Sequence, residues 1–388
     1  MGILSNTVSF CQFKVLGPRP QGDLYEWASQ CLQKNAFQSI EKGAEELSVG
    51  WVHVDDMGAS DFIAPHTFWR DRYLVFSLRR DQRKVPTALV RGHLRLAEEK
   101  FLQDNAGLKR VPRQKREELR DAVHANLLAR TLPVPATYDA VWDMERDIVS
   151  FAGLSGKAVE LFENYFRTTF EGQRLVTVHP YDRAGQVIGE ELQPALEKAN
   201  AAGSTSVLDQ IEDNRWVGED FLLWLLYQTL NDSSEYRVSQ TGPAGEAEGF
   251  VAYLNDRFVL IGGEEDGPQK VTIAGPQDSF GEIRAALSAG KRLSEAVIYL
   301  EKGENEWRTV LKSPTFHFGS FRSPKVTLER DELSDEASEK EAIFYERMHV
   351  LEEGLQLFDS LFAAFLQERL GAEWPQRDEE IRRWLAES

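Results

Sequence analysis

The chain has 388 residues, and its 63 Asp and Glu outnumber its 45 Lys and Arg, giving a formal net charge of −18. A hydrophobic content of 42% with 22 Phe and 9 Trp supports packed cores in two or three domains and excludes a disordered chain. No apolar run has the length of a membrane span and the N-terminus lacks the features of a secretory signal. Two cysteines fit a reducing compartment and exclude a cysteine-rich zinc site, so we expect a cytoplasmic protein.

The first third of the chain mixes strand and helix patterns. The predicted elements are a strand at 8–15, a helix at 22–34, a strand at 73–78, a basic turn at 79–84 and two helices, at 86–104 and from 113 onward. Pro86 is typical of a helix start, and Gly107 follows the end of that helix in the C-cap role. Residues 85–130 are therefore predicted to form a helical hairpin, or arm, that projects from a sheet domain.

The arm is basic although the chain is acidic. Residues 70–120 contain 15 Lys and Arg against 7 Asp and Glu. On a helix that begins after Pro112, Arg113, Arg116 and Arg120 lie on one side at i, i+3 and i+7. The neighbouring strip is apolar, with Leu119, Val123 and Leu127. A basic arm on an acidic body indicates a local nucleic-acid surface, and a solvated charged helix is the alternative.

The rest of the chain continues with both patterns. A predicted hairpin at 138–142 and 148–152 is followed by a helix at 156–169 and a strand at 175–178, which complete a βαβ-like unit. Next come a linker with a short helix at 185–203, a buried helix at 221–227 and two strands around an Asn255–Asp256 turn within 250–261. The remaining predicted elements are a strand at 271–273, a helix at 280–289, a hairpin at 296–300 and 307–311, an aromatic strand around 316–321 and an amphipathic helix at 341–369. Near-heptad apolar spacing predicts that the last helix packs in a core or in a dimer.

These elements predict the α+β class, with mixed sheet domains, a projecting helical arm and a long C-terminal amphipathic helix. The predicted domains are a central α+β domain (1–84 and 131–182), the basic arm (85–130) and a C-terminal α+β domain (183–388).

Motifs for nucleotide binding and for serine hydrolysis are absent: the sequence has no GxxxxGK[ST] loop, no GxGxxG after a strand and no GxSxG elbow. The seven histidines are scattered, and His317 is interpreted as a strand residue. Acidic clusters at 55–56, 98–99 and 264–266 are interpreted as solvated surface. We therefore predict no cofactor, no metal site and no enzymatic activity.

Several segments, in this order, resemble the RdgC family of bacterial recombination-associated proteins. They are GWV at 50–52 with Met57 and Gly58, RKVPTALVRGHL at 83–94, QKREELRDAVHANLLAR at 114–130, the hairpin, helix and strand at 138–180, FLLWLLY at 221–227, IRAALSAGKRL at 283–293 and the long C-terminal helix. The similarity extends over nearly the whole chain, and residues 228–250 and 300–335 are the most divergent.

The resemblance implies a non-enzymatic homodimer that closes as a ring around double-stranded DNA, binds it with little sequence preference and limits access of the RecA recombinase. It also implies two dimer contacts. One is an apolar residue after the arm, which falls here at Leu132 near the arm's projecting tip. The other lies before the AGK turn, in a stretch that ends at Gln277, with Lys270 as the nearest cation.

The sequence therefore predicts a nucleoid-associated protein that binds duplex DNA and modulates recombination. The predicted phosphate contacts are Arg79, Arg80, Arg83, Lys84, Arg91, Arg95, Lys109, Arg110, Arg113, Lys115, Arg116, Arg120, Lys291 and Arg292. A clamp-shaped DNA exonuclease is one alternative, and it would need carboxylates facing the basic rim. A protein-interaction scaffold that binds no DNA is the other.

Overall fold

The computed structural model describes residues 2–19, 21–43, 45–262, 269–275, 280–326 and 336–387. The protein is of the α+β class, as predicted, because helices accompany strands that pair antiparallel. By internal contacts the chain divides into two compact units. We call Arg19–Asp139 the arm unit, and Met1–Pro18 together with Ala140–Ser388 the large unit.

The elements up to the end of the arm are β1 (Thr7–Leu16), α1 (Leu24–Lys34), β2 (Leu47–Val52), β3 (Trp69–Arg70), β4 (Tyr73–Gln82), α2 (Thr87–Asp104) and α3 (Arg113–Arg130). They continue with β5 (Val134–Asp143), β6 (Ile148–Phe151), α4 (Gly156–Thr169), β7 (Arg174–Thr177), α5 (Pro180–Val187), α6 (Gln193–Ala199), α7 (Val207–Asp213), α8 (Trp216–Asn231), β8 (Glu235–Arg237), β9 (Gly249–Gly262), β10 (Gln269–Ala274), α9 (Gly281–Ser288), β11 (Arg292–Lys302), β12 (Asn305–Lys312), β13 (His317–Arg322), α10 (Glu336–Arg369) and α11 (Trp374–Ala386).

In the arm unit, β2 pairs antiparallel with β4, and the ladder runs from Leu47 opposite Gln82 to Val52 opposite Ser77. Its hydrogen bonds keep the chain extended to Gln82, so the basic turn predicted at 79–84 is wrong. Gly50 must be a glycine, because a Cβ there would lie 2.2 Å from the Cα of Phe37. Beside it, the fully buried Trp51 packs edge-on against Phe76.

Helices α2 and α3 form the predicted hairpin. They pack against each other, and a turn of eight residues, 105–112, joins them. Their contact is shallow: α2 has no buried side chain, and the one buried side chain of α3 is Leu128. The arm is therefore a two-helix projection that exposes most of its surface.

In the large unit, β1 lies inside an antiparallel sheet. Along one edge it pairs with β13 and β7, and along the other with β6. Helix α4 links β6 to β7, and these strands lie on opposite edges of β1, so the connection crosses over β1. This confirms the βαβ-like unit, with β1 between its two strands. The pairing of β1 with β13 also explains why residues 2–18 group with the C-terminal half rather than with the predicted 1–84 segment.

The core of the large unit is aromatic. Phe221 of α8 contacts Phe316, Phe358, Phe362 and Phe365, and three of these lie on α10. The buried helix predicted at 221–227 and the long C-terminal helix are thus confirmed, the latter as a core helix.

Two predicted details of the large unit are wrong. Residues 250–261 form one strand, because Asp256 takes a left-handed backbone (φ +67°) that makes a bulge and not a turn. The segment predicted as a linker with a short helix at 185–203 does contain such a helix, α6, but its predicted start is wrong because it lies inside α5.

Candidate nucleic-acid interface

The turn between α2 and α3 forms an open basic pocket of about 670 Å³, which we call the tip cavity. It is lined by Gly107, Leu108, Lys109, Arg110, Val111, Pro112, Arg113 and Arg116. Four of these described residues are cations and none is acidic. The first turn of α3 also has no side-chain cap, so the positive end of the helix dipole adds to the same potential. The tip cavity therefore attracts anions.

Half of the predicted arm cations are held by carboxylates of the arm itself. The pairs are Arg95 with Glu99 (2.9 Å), Arg113 with Glu117 (3.4 Å), Lys115 with Glu118 (2.8 Å) and Arg116 with Glu98 (2.6 Å). Three of these pairs connect residues of the same helix, one pair in α2 and two in α3, and the fourth pair joins α2 to α3. Exposed pairs of this kind contribute about 0–1 kcal/mol, so a phosphate can compete for the cation.

Four other predicted cations of the arm are exposed, and no described residue forms an ion pair with any of them: Arg91, Lys109, Arg110 and Arg120. We call them the free arm cations. Lys100 has the same character and was missed, because Glu98 and Glu99 directly before it make the local sequence look neutral.

The four basic residues before the arm have different roles. Arg79 is held by two hydrogen bonds to Asp81 (2.8 and 2.7 Å), which raise its pKa above the ordinary value, and it lies over the ring of Phe37. Arg80 is half-buried and donates to Gln82. Lys84 is exposed.

Arg83 is buried. Its guanidinium donates to the carbonyl oxygens of Ile40 (2.6 Å), Glu41 (3.0 Å) and Leu128 (3.2 Å). Because both guanidinium groups are bonded inside the arm unit and largely buried, Arg79 and Arg83 are not part of the proposed interface.

In the large unit, the two predicted cations at the start of β11 also have partners. Arg292 pairs with Glu219 (3.0 Å) beside a groove of about 530 Å³ that Arg215 also lines. Lys291 reaches Gln269 at 3.4 Å. Lys270 is an exposed residue of β10, and Gln277 lies outside the described residues.

Leu132 follows α3 directly and its side chain is 77% exposed. The end of α3 returns to the segment before α2, since Arg83 bonds to the carbonyl of Leu128. Leu132 therefore lies at the base of the arm, and its predicted place near the tip is wrong. Val134 is exposed beside it in sequence, so the base carries two uncovered apolar side chains.

Of the predicted acidic clusters, Asp55, Asp56 and Glu99 are exposed as expected, but two of the described carboxylates also form ion pairs beyond their own cluster. Asp55 forms an ion pair with the buried Arg70, and Glu98 forms the interhelical pair of the arm. Residues 264–266 lie outside the described part. Within the described ranges no three His, Cys, Asp or Glu side chains form a group that could hold a metal ion. Likewise, none of the helices described there has the length and apolar character needed to cross a bilayer.

A family model with the description "RdgC: Putative exonuclease, RdgC" matches residues 24–212. The match begins at the first residue of α1, includes the whole arm and ends within α7. A comparison with curated proteins found no match.

Proposed function

We propose that this chain, like the RdgC family whose model matches residues 24–212, is a recombination-associated DNA-binding protein. Its arm binds double-stranded DNA through phosphate contacts, with little sequence preference. The observation that carries the proposal is the tip cavity, which four cations and no carboxylate line on a chain of net charge −18. The local cations attract polyanions to this surface, whereas the acidic remainder of the chain repels them elsewhere.

Phosphate contacts explain how the arm would bind without reading bases. Lys and Arg contacts to phosphate give affinity and position, whereas sequence is read by contacts to base edges. The free arm cations and the cations of the tip cavity are exposed side chains of the two arm helices and of the turn between them. They can follow a charged backbone of any sequence.

The same proposal includes a homodimeric ring around the duplex, located at the nucleoid, that limits RecA access. Its support in this chain is Leu132, an exposed apolar side chain at the base of the arm. In a two-fold dimer the same patch meets itself, so one exposed leucine in each subunit contributes twice to the contact.

The first experiment compares affinities at one low salt concentration. The variant Lys109→Ala/Arg110→Ala/Arg120→Ala removes three cations of the arm that have no ion pair within the described residues. The control, Lys157→Ala/Arg382→Ala/Arg383→Ala, removes three exposed cations of the large unit. We expect a gel shift to show much weaker duplex binding for the arm variant and near-parental binding for the control. Equal loss in both variants would mean that net charge, and not the arm, governs binding.

Exonuclease activity is a second candidate because the matching family carries that description. Purified protein is incubated with end-labelled duplex and Mg²⁺ or Mn²⁺. We expect the label to stay on full-length strands, and its progressive release would favour the enzyme. If the parent fails to bind duplex even at low salt, the protein is instead an interaction scaffold.

A further inference from the structure

One ion pair of the arm differs from the other three in geometry. Glu98 of α2 accepts a hydrogen bond from the Nε of Arg116 of α3 at 2.6 Å, so the pair connects the two helices. Arg116 also lines the tip cavity. This side chain is therefore shared between an internal carboxylate and the basic tip cavity.

The environment of Glu98 makes its pair tighter than the others. Its side chain is 23% exposed, whereas the carboxylates that pair with Arg95, Arg113 and Lys115 are 51–65% exposed. Water and salt screen an exposed pair, and long exposed side chains lose entropy when they are held together. Glu98 is fixed in the helix contact, so it holds Arg116 with less competition from solvent.

We propose that Glu98 is a built-in competitor of phosphate, which holds Arg116 away from DNA and so limits the affinity of the arm. The inference rests on the proposed function, because it concerns the same surface. In the free protein the guanidinium binds a carboxylate of its own chain. A phosphate must replace that carboxylate, and the exchange leaves Glu98 without its partner and close to a polyanion.

Competition between Glu98 and phosphate for Arg116 affects which anions the arm prefers. A weakly charged or isolated anion gains little by replacing Glu98, because one charge is exchanged for another. A duplex presents many phosphates that engage the free arm cations at the same time, so it can hold the arm while Arg116 exchanges. Glu98 thus favours long polyanions over small ones.

The test uses Glu98→Gln, which removes the charge and keeps an oxygen that accepts the same hydrogen bond from Arg116. The matched control is Asp104→Asn, because Asp104 is an exposed carboxylate of the same helix without an ion pair in the described part of the chain. Both variants change the net charge by the same amount. Circular dichroism checks that the helix content is unchanged.

We expect Glu98→Gln to bind duplex about two- to fivefold more tightly than the parent at low salt, the range set by an ion pair of up to about 1 kcal/mol. Asp104→Asn should produce a clearly smaller gain. The advantage of Glu98→Gln over Asp104→Asn should disappear when Arg116→Gln is added to both, since the double-mutant cycle isolates the coupling of the two residues.

Equal gains for Glu98→Gln and Asp104→Asn, or a gain that persists without Arg116, would overturn the inference and leave the proposed function standing. Absence of duplex binding by the parent and by Glu98→Gln would overturn both. Duplex binding by Glu98→Gln but not by the parent would support the inference, because Glu98 would then compete strongly enough to prevent binding by the parent.

Discussion

The guanidinium of Arg83 connects three segments of the arm unit. It donates to the carbonyl oxygens of Ile40 and Glu41 in the loop before β2 and of Leu128 near the end of α3. These acceptors are 42 to 45 positions away in sequence. Arg83 therefore fixes the base of the arm to the body of its unit, and its burial keeps the guanidinium away from a ligand phosphate.

Arg83→Ala removes three hydrogen bonds that a buried charged group donates, which costs about 1–3 kcal/mol. We expect the free energy of unfolding, measured by urea denaturation, to fall by that amount. The neighbouring Lys84→Ala should change it by less than about 0.5 kcal/mol, since Lys84 is exposed. A variant at position 83 that is as stable as the one at position 84 would contradict a structural role for Arg83.

His317 makes stability depend on pH. Burial lowers the pKa of His317 to about 4, and the charge of Lys312 adds to the shift. In the unfolded chain the imidazole of His317 binds a proton below pH 6.5, whereas in the folded chain this imidazole stays neutral down to about pH 4. Stability contributed by the neutral imidazole is therefore complete above pH 6.5 and is lost as the pH falls from 6.5 to 4, by about 3 kcal/mol at about 1.4 kcal/mol per pKa unit.

His317→Gln removes this titration. We expect the unfolding free energies of the parent and of the variant to converge as the pH is lowered through that window, and to run parallel above it. Curves that are parallel throughout would show that His317 titrates normally in the folded protein.

At the scale of elements, the arm differs from the helices of the large unit. Helix α2 has no buried side chain, whereas α8 buries eight residues. A helix stabilised by so little buried surface opens locally at low free-energy cost. The arm should therefore behave as a weakly held element that a bound polyanion stabilises.

Hydrogen–deuterium exchange tests this behaviour. We expect the amides of α2 and α3 to exchange much faster than those of α8, and duplex DNA to slow exchange in the arm. If the arm is as protected as α8 without DNA, its two helices are held by more than their shallow contact with each other.

How much of these elements could be predicted depends on the range of the interactions. The arm hairpin could be predicted, because Pro86, Gly107 and Pro112 mark helix ends locally and the apolar spacing is regular. The bulge at Asp256 could not, since a left-handed Asp is also typical of a turn and the pairing with β11 decides between them. The Glu98–Arg116 pair spans 18 positions and follows only from the register of the two helices.

At the scale of the whole molecule, the proposal requires two copies of the chain. Leu132→Asp places a charge on an exposed apolar side chain at the base of the arm. In a two-fold dimer the contact would bring the two aspartates together, and two like charges removed from water are unfavourable. We expect sedimentation to show weaker self-association, and retention on circular duplex at moderate salt to fall, with thermal stability unchanged.

The matched control for that variant is Leu208→Asp, because Leu208 of α7 is 72% exposed and lies in the large unit. It should leave self-association as in the parent. Equal association of the parent and both variants would mean that Leu132 takes no part in a dimer contact.

The central claim is that the arm contacts DNA phosphates, and the salt dependence of binding tests it most directly. Each phosphate contact on duplex DNA contributes a slope of about −0.9 to log K against log salt concentration. We predict a steep slope for the parent, independent of DNA sequence, and a slope shallower by up to about 2.7 per subunit for Lys109→Ala/Arg110→Ala/Arg120→Ala. A parental slope near zero, or the same slope in the parent and the arm variant, would contradict the claim.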